Sequence, residues 1–210
     1  MINNFSSAPI CIVRTVTDIM FVLYTDIMNE TLGSIYGRAS VRKYKAEKVP
    51  DEDVKEILKA GFHAANGLNR QALEFVVMEN KETIQKYSKK GAAIFIEMMK
   101  ASGQPGPINP PADMFYGAPA IIYVFANPTA LTPVEDGSLA VGNMMLAAHS
   151  MGYGTCFIGF AAGLGYDEEF RNECKVPEGH SFVACMILGK PDGNIERRPR
   201  PEPKILCWNK

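Results

Sequence analysis

"APAIIYVFA", residues 118–126, is nine residues of β-forming and small apolar side chains with no charge among them. An edge or half-exposed strand alternates apolar with polar residues, whereas this run is apolar on both faces, so it reads as a central strand covered on two sides. "EFVVME" (74–79) and "SFVACMILG" (181–189) read as further strands, and "YGTCFIG" (153–159) as a short strand or loop. Between them lie helical stretches. "DEDVKEILKAGFHAA" (51–65) follows Pro50, carries acids in its first turn, and sets Val54, Ile57, Leu58 and Phe62 on an apolar stripe. "KETIQKYSKKGAAIFIEMMKAS" (81–102) reads as one helix interrupted at Gly91, or as two. "EDGSLAVGNMMLAAHSMG" (135–152) reads as a strongly apolar helix buried on most sides, and a small helix is expected near "YDEEFRNEC". The spacing is not that of repeated βαβ units. The fold class expected is α+β: a sandwich with a central, mainly antiparallel sheet flanked by helices.

The chain has 210 residues, 47% hydrophobic and 21% charged, with a formal net charge of −1. That is enough apolar material for one sizeable core. A pI near 6.3 lacks the broad basic surface that nucleic-acid binding needs. Five scattered cysteines form no C-x-x-C pair, so neither a zinc or iron–sulfur ligand set nor a disulfide framework is indicated, and no metal is expected. The reducing cytoplasm is the expected compartment. Residues 1–28 stand apart: "APICIVRTVTDIMFVLYTDIM" is apolar but broken by Arg14 and Asp18, too short in clean run to span a membrane. This N-terminal extension is read either as an extra packing segment or as the product of a start codon placed too early, with Met28 the natural beginning. The second is favoured, and the functional domain is expected to occupy 29–210. "GQPGPINPPADM" (103–114) is a Pro/Gly-rich loop suited to a lid or to crossing a partner surface.

Four short stretches could carry chemistry. In "RASVRKYKAEKVPDEDVKEIL" (38–58) Arg38, Ser40 and Arg42 alternate. In an extended or turn conformation they point the same way, so two guanidiniums and a hydroxyl can converge on a phosphate. The other reading is a solvated basic turn before an acidic helix. "AANGLNRQALEF" (64–75) gathers the amides of Asn66, Asn69 and Gln71 between a helix and a strand, where donor and acceptor together can read a heterocycle's edge. Its plainer reading is an Asn/Gly helix stop. The glycines of "GYGTCFIG" (152–159) would let backbone N–H groups approach a planar ligand, and "ERRPRP" (196–201) is a second basic cluster. Together they describe a pocket for a phosphorylated heterocycle. The histidines, His63, His149 and His180, hold no metal-ligand spacing, and His149 reads as a core or interface residue. No built-in nucleophile is evident, so a cofactor is expected to carry the chemistry.

"RASVRKYKAEKVPDEDVKEILKAGFHAANGLNRQALEFVVMEN" resembles the opening of the FMN-dependent nitroreductase family, with its R-x-S-x-R start and later N-x-Q element. "GAPAIIYVFAN", "DGSLAVGNMMLAAHSMGYGTCFIG" and "LGKPDG…RRPRP" continue the likeness in the family's order, over roughly residues 29 to 203. The resemblance implies that Arg38 and Ser40 hold the FMN phosphate and ribityl chain, with Ala39 between them also cofactor-binding, while Arg42 approaches the pyrimidine side of the flavin. It implies that Asn69 and Gln71 form the amide element, reaching the FMN of a neighbouring subunit, with Asn66 beside them counted among the cofactor-binding residues. Ile158 and Gly159 would contact the ring, and Arg198 or Arg200 would be a second phosphate ligand. The implied assembly is a homodimer with FMN at its interface. The implied activity is an FMN-dependent oxidoreductase taking electrons from NADH or NADPH to a nitroaromatic, quinone, enone or free flavin in a ping-pong cycle. A non-catalytic flavin-storage module and a relative that remodels the flavin itself are the alternatives. Ala65-Asn66, Ala72-Leu73 and Lys190 depart from the family's usual residues, so substrate preference does not carry over.

Overall fold

The computed structural model describes residues 29–103, 110–195 and 197–209. Its contacts divide the chain into residues 1–37 and 38–210. The first unit contributes helix α1 (Glu30–Gly37), opened by Asn29, whose side-chain oxygen accepts from the Thr31 N–H at 2.9 Å. The expectation for residues 1–28 lies outside the described residues.

In the second unit the chain runs α2 (Asp51–Phe62), a 3₁₀ turn at Gly67–Asn69, β1 (Leu73–Met78) and α3 (Lys81–Ala101). It continues through β2 (Ala120–Ala126), α4 (Pro133–Ser150), β3 (Gly154–Phe157), a 3₁₀ stretch at Gly159–Tyr166, α5 (Glu168–Glu173) and β4 (Ser181–Gly189). The four strands form one sheet in the order β1-β2-β4-β3, and every neighbouring pair is antiparallel. The α+β expectation is met. β2 is central, with Ile122 opposite Val77 on one side and Met186 on the other. All seven of its residues are buried, as a run apolar on both faces requires.

Alternate residues of β2 feed two cores. Ile121, Tyr123 and Phe125 join Cys185 and Ile187 under Ile84 and Tyr87 of α3, Leu164 and Phe170. Ile122 and Val124 join Ala184, Met186 and Leu188 under Val54 and Ile57 of α2 and Ala140, Val141 and Met144 of α4. A sheet covered on both faces by helices is the result. Tyr123 and Tyr87 both pack on the Phe170 ring, at 4.6 and 5.0 Å between centroids. Such pairs add about 0.5–1.5 kcal/mol beyond area burial.

Several elements differ from the expectations. α3 is one unbroken helix, capped by Asn80 accepting from the Thr83 N–H at 2.9 Å. Gly91 does not interrupt it; it is a point of close approach, where a Cβ would lie 2.7 Å from Leu164 Cδ1 and Met114 Sδ. α4 is not buried on most sides. Asp136, Gly137, Ala140, Val141, Met144 and Ala148 face inward, while Val134, Leu139, Gly142 and Asn143 are exposed. Residues 104–109 of the Pro/Gly-rich loop are not described, but its last residues are pinned. Asp113 Oδ1 accepts from Ser88 Oγ (2.8 Å) and the Phe115 N–H (2.9 Å), Oδ2 accepts from the Gly117 N–H (2.7 Å), and Met114 is wholly buried. That end is a fixed corner and not part of a lid.

Candidate functional site

The Arg38 segment lies along the outer edge of β3. Ser40 bridges Thr155 in parallel, with the Val41 N–H donating to the Thr155 carbonyl at 2.9 Å. Further along, Tyr44 bridges Pro191, and the Lys45 N–H donates to the Lys190 carbonyl at 2.9 Å. The extended conformation expected for R-x-S-x-R is therefore present. Val41 and Tyr44 turn into the core while Ser40 and Arg42 stay exposed. Arg38 is half-buried, and its Nη1 is buried with no hydrogen-bond partner among the described residues. A buried guanidinium nitrogen left unpaired is costly, and its natural complement is an anion.

Other groups gather there. Cys156 of β3 is buried under this segment. Burial raises its thiol pKa, partly offset by the Arg42 charge, a hydrogen bond with the Ser40 hydroxyl and the Arg38 charge. His149, near the C-terminal end of α4, is held below the ordinary histidine range, first by burial and then by the positive charges of Arg197 and Arg38. In the 196–201 cluster, Arg197 is thus the residue whose charge reaches this corner. Arg198 and Arg200 are exposed on the extended tail. Arg42 carries its guanidinium over the Tyr116 ring, 6.0 Å from its centroid, and Tyr116 itself holds a left-handed backbone (φ 55°). Ile158 and Gly159 follow β3. The Ile158 side chain belongs to the core and its N–H donates to the Cys185 carbonyl at 2.8 Å, whereas the space beside Gly159 is open.

The amide group is elsewhere. Asn66, Asn69 and Gln71 sit in the loop that enters β1, on the opposite edge of the sheet from β3. The Gln71 N–H donates to Asn66 Oδ1 at 3.0 Å, and Gln71 Nε2 donates to Asn69 Oδ1 at 3.3 Å. Leu68, Asn69 and Gln71 all have positive φ (50°, 53° and 52°), a concentration of strained backbone of the kind found at ligand clamps. The plain helix-stop reading does not account for three such residues. With the Arg38 segment paired outside β3 and the amide loop entering β1, the two groups are separated by four strand spacings, roughly 19 Å. One chain does not bring them together.

Sequence reasoning missed His149, Cys156, Tyr116 and Arg197 as neighbours of the arginine corner. Their relation depends on tertiary pairing, and only the basic run 196–201 gave a signal for Arg197. Among the described residues no group of three or more His, Cys, Asp or Glu is arranged to hold a metal ion, and no helix is long and apolar enough to cross a membrane.

Residues 35–190 match the model of the nitroreductase family. The chain belongs to that family. The expectation of a nitroreductase-type oxidoreductase is met at this level. An Archaeoglobus fulgidus protein provisionally named NADH dehydrogenase/NAD(P)H nitroreductase is 30% identical over 169 residues, covering 78% of this chain and 87% of its own. A Vibrio harveyi NADPH-flavin oxidoreductase is 29% identical, covering 82% of this chain and 70% of its own. Among solved structures, a Desulfitobacterium hafniense nitroreductase with bound FMN superposes with a TM-score of 0.75 at 29% identity, over 87% of this chain and 100% of that one.

Proposed function

We propose that this protein is an FMN-dependent oxidoreductase, passing electrons from NADH or NADPH to an electron-poor small molecule such as a nitroaromatic, a quinone or an enone. The observation that carries the reading is the buried Nη1 of Arg38, without a hydrogen-bond partner among the described residues and set beside Ser40 and Arg42, while the charges of Arg38 and Arg197 both act on His149. This donor set fits a phosphate. The names of the Archaeoglobus and Vibrio relatives support NAD(P)H as donor, and the FMN in the Desulfitobacterium structure supports the cofactor.

FMN, when bound, supplies the electron-transfer chemistry. Arg38, Ser40 and Arg197 would hold its phosphate, with Arg198 or Arg200 of the same extended tail as a further ligand. Arg42, kept in place over Tyr116, would set a fixed positive charge at the flavin's pyrimidine side, where it favours added negative charge. Ala39, Ile158 and Gly159 would bound the ring through backbone and small-residue surface, and the open space at Gly159 suits that role. Asn66, Asn69 and Gln71 would complete the grip from a second copy of the chain. Asp136, which touches the amide loop, and His149, which feels the arginines, lie about 20 Å apart along α4. Two copies of α4 packed antiparallel through the exposed Leu139–Gly142–Asn143 face would bring each amide loop to the other chain's arginine corner. Among the described residues four cysteines are free thiols, two of them buried, which suits a reducing compartment, the cytoplasm.

The test is the visible spectrum of the purified protein under anaerobic conditions. NADH or NADPH should bleach a bound flavin, and a nitroaromatic or quinone should restore it with the FMN recovered intact. A flavin that neither nucleotide bleaches would mean storage, and one consumed in the cycle would mean that FMN is the substrate.

A further inference from the structure

The amide loop is held by a residue that the proposed function does not use. Asp136 is a carboxylate only 3% exposed, in the first turn of α4. Its Oδ1 accepts from the Gly67 N–H at 2.9 Å and from Thr132 Oγ1 at 2.9 Å. Gly67 directly follows Asn66, whose Oδ1 takes the Gln71 N–H, and Gln71 in turn donates to Asn69. A single connected path therefore runs from Asp136 through Gly67 to all three amides. We infer that Asp136 is a positioning residue, whose buried carboxylate seats the 66–71 loop and fixes where Asn69 and Gln71 stand.

Three observations support it. Leu68 is 78% exposed, so burial of its own side chain cannot hold the left-handed backbone shared by Leu68, Asn69 and Gln71, and a tertiary anchor must. The seat is also tightly fitted: a Cβ on Gly67 would lie 2.7 Å from Thr132 Oγ1. Finally, Asp136 Oδ2 is buried without a partner among the described residues and borders the small cleft lined by Phe62, Ala64, Asn66, Gln71 and Leu73. Thr132, not Asp136, holds the N-cap position of α4, so a half-satisfied buried carboxylate at Asp136 is an expensive residue that capping does not explain. Its charge does strengthen the hydrogen bond to Gly67. The competing role is a first-turn acid that merely steadies α4.

The seating rests on geometry alone, while the consequence for the cofactor rests on the FMN reading above. Two measurements separate them. The first is amide hydrogen exchange at residues 67–71 in the protein stripped of flavin. It should speed up in Asp136→Ala and stay near wild type in Asp136→Asn, which keeps an acceptor oxygen. The second is FMN titration by fluorescence, where Asp136→Ala should weaken binding about tenfold or more, the scale of one lost charge-assisted hydrogen bond, and Asp136→Asn should recover most of it. Gly67→Ala, which leaves Asp136 intact and crowds the seat from the loop side, should reproduce the faster exchange and weaker binding if Asp136→Ala does not fold. Unchanged exchange at 67–71 in folded Asp136→Ala would overturn the inference. So would a lower melting temperature, equal in Asp136→Ala and Asp136→Asn, with FMN affinity untouched. A wild-type protein that binds no FMN would remove the cofactor reading, and the exchange comparison would still decide the seating.

Discussion

Gly137 of α4 passes so close beneath Val183 of β4 that a Cβ on it would lie 2.1 Å from Val183 Cγ1 and 2.9 Å from its Cβ. Valine is β-branched and cannot swing aside, so the helix must lift. Gly137→Ala gains about 1 kcal/mol in helix propensity. Overpacking of this kind costs about 1–3 kcal/mol, so the clash should win. Gly61→Ala meets Met144 Cγ at 2.6 Å and the Ala140 carbonyl oxygen at 3.3 Å; the methionine is unbranched and can yield in part, so the change should cost less. Urea denaturation of the two variants should rank them in that order.

Arg38→Ala should weaken FMN binding by about 1.5–3 kcal/mol, the usual worth of a hydrogen bond to a charged group. The fold should lose little, because the unpartnered Nη1 gives the flavin-free chain nothing at that position. Titrating wild type and variant with FMN, alongside their thermal melts, checks both halves. Equal affinities would return the segment to a solvated basic turn.

The imidazole of His149 offers a pH readout. Its depressed value means that the unfolded chain takes up the proton more readily than the folded one. Its contribution to stability is therefore complete above the ordinary value of 6.5 and is lost as pH falls from there through the folded value. A phosphate placed between Arg38 and Arg197 offsets part of the positive charge, so FMN should raise the His149 pKa and flatten that loss. An NMR titration of the imidazole with and without FMN reads the shift, and an unmoved value would put the phosphate elsewhere.

Ser88 is buried on α3, donating to Asp113 Oδ1 at 2.8 Å and accepting from the Met114 N–H at 2.9 Å. Ser88→Ala strands a buried backbone donor, which costs about 1–3 kcal/mol. Thermal denaturation should show the loss, and limited proteolysis should find the corner at residues 113–117 newly cleavable.

Much of the fold was legible because its signals are local. The β2 run is apolar on both faces, and α2 and α3 place Val54, Ile57, Ile84 and Tyr87 at helical spacing. Gly91 misled because a glycine that breaks a helix and one that admits Leu164 and Met114 look the same in one dimension. The apolar character of α4 likewise overstated its burial, since composition does not tell a core-facing leucine from Leu139 on an exposed face. At the site, R-x-S-x-R was readable because its three side chains are adjacent in sequence. Asp136 and Gly67, 69 residues apart, were not. Nor was the choice of Arg197 within a run of arginines that no regular element anchors.

The length of α4 bears on how the protein behaves at low abundance. With the amide loop near one end of that helix and the arginine corner near the other, cofactor grip in the proposed assembly is shared between two chains and becomes a matter of mass action. Dilution that separates the chains also removes half of each grip, so retention of FMN should fall with protein concentration as well as with free FMN. The linkage runs both ways: whatever factor pairing adds to FMN affinity, FMN must add to pairing. In that assembly a rise in the chain and a rise in the cofactor would each promote filling of the site.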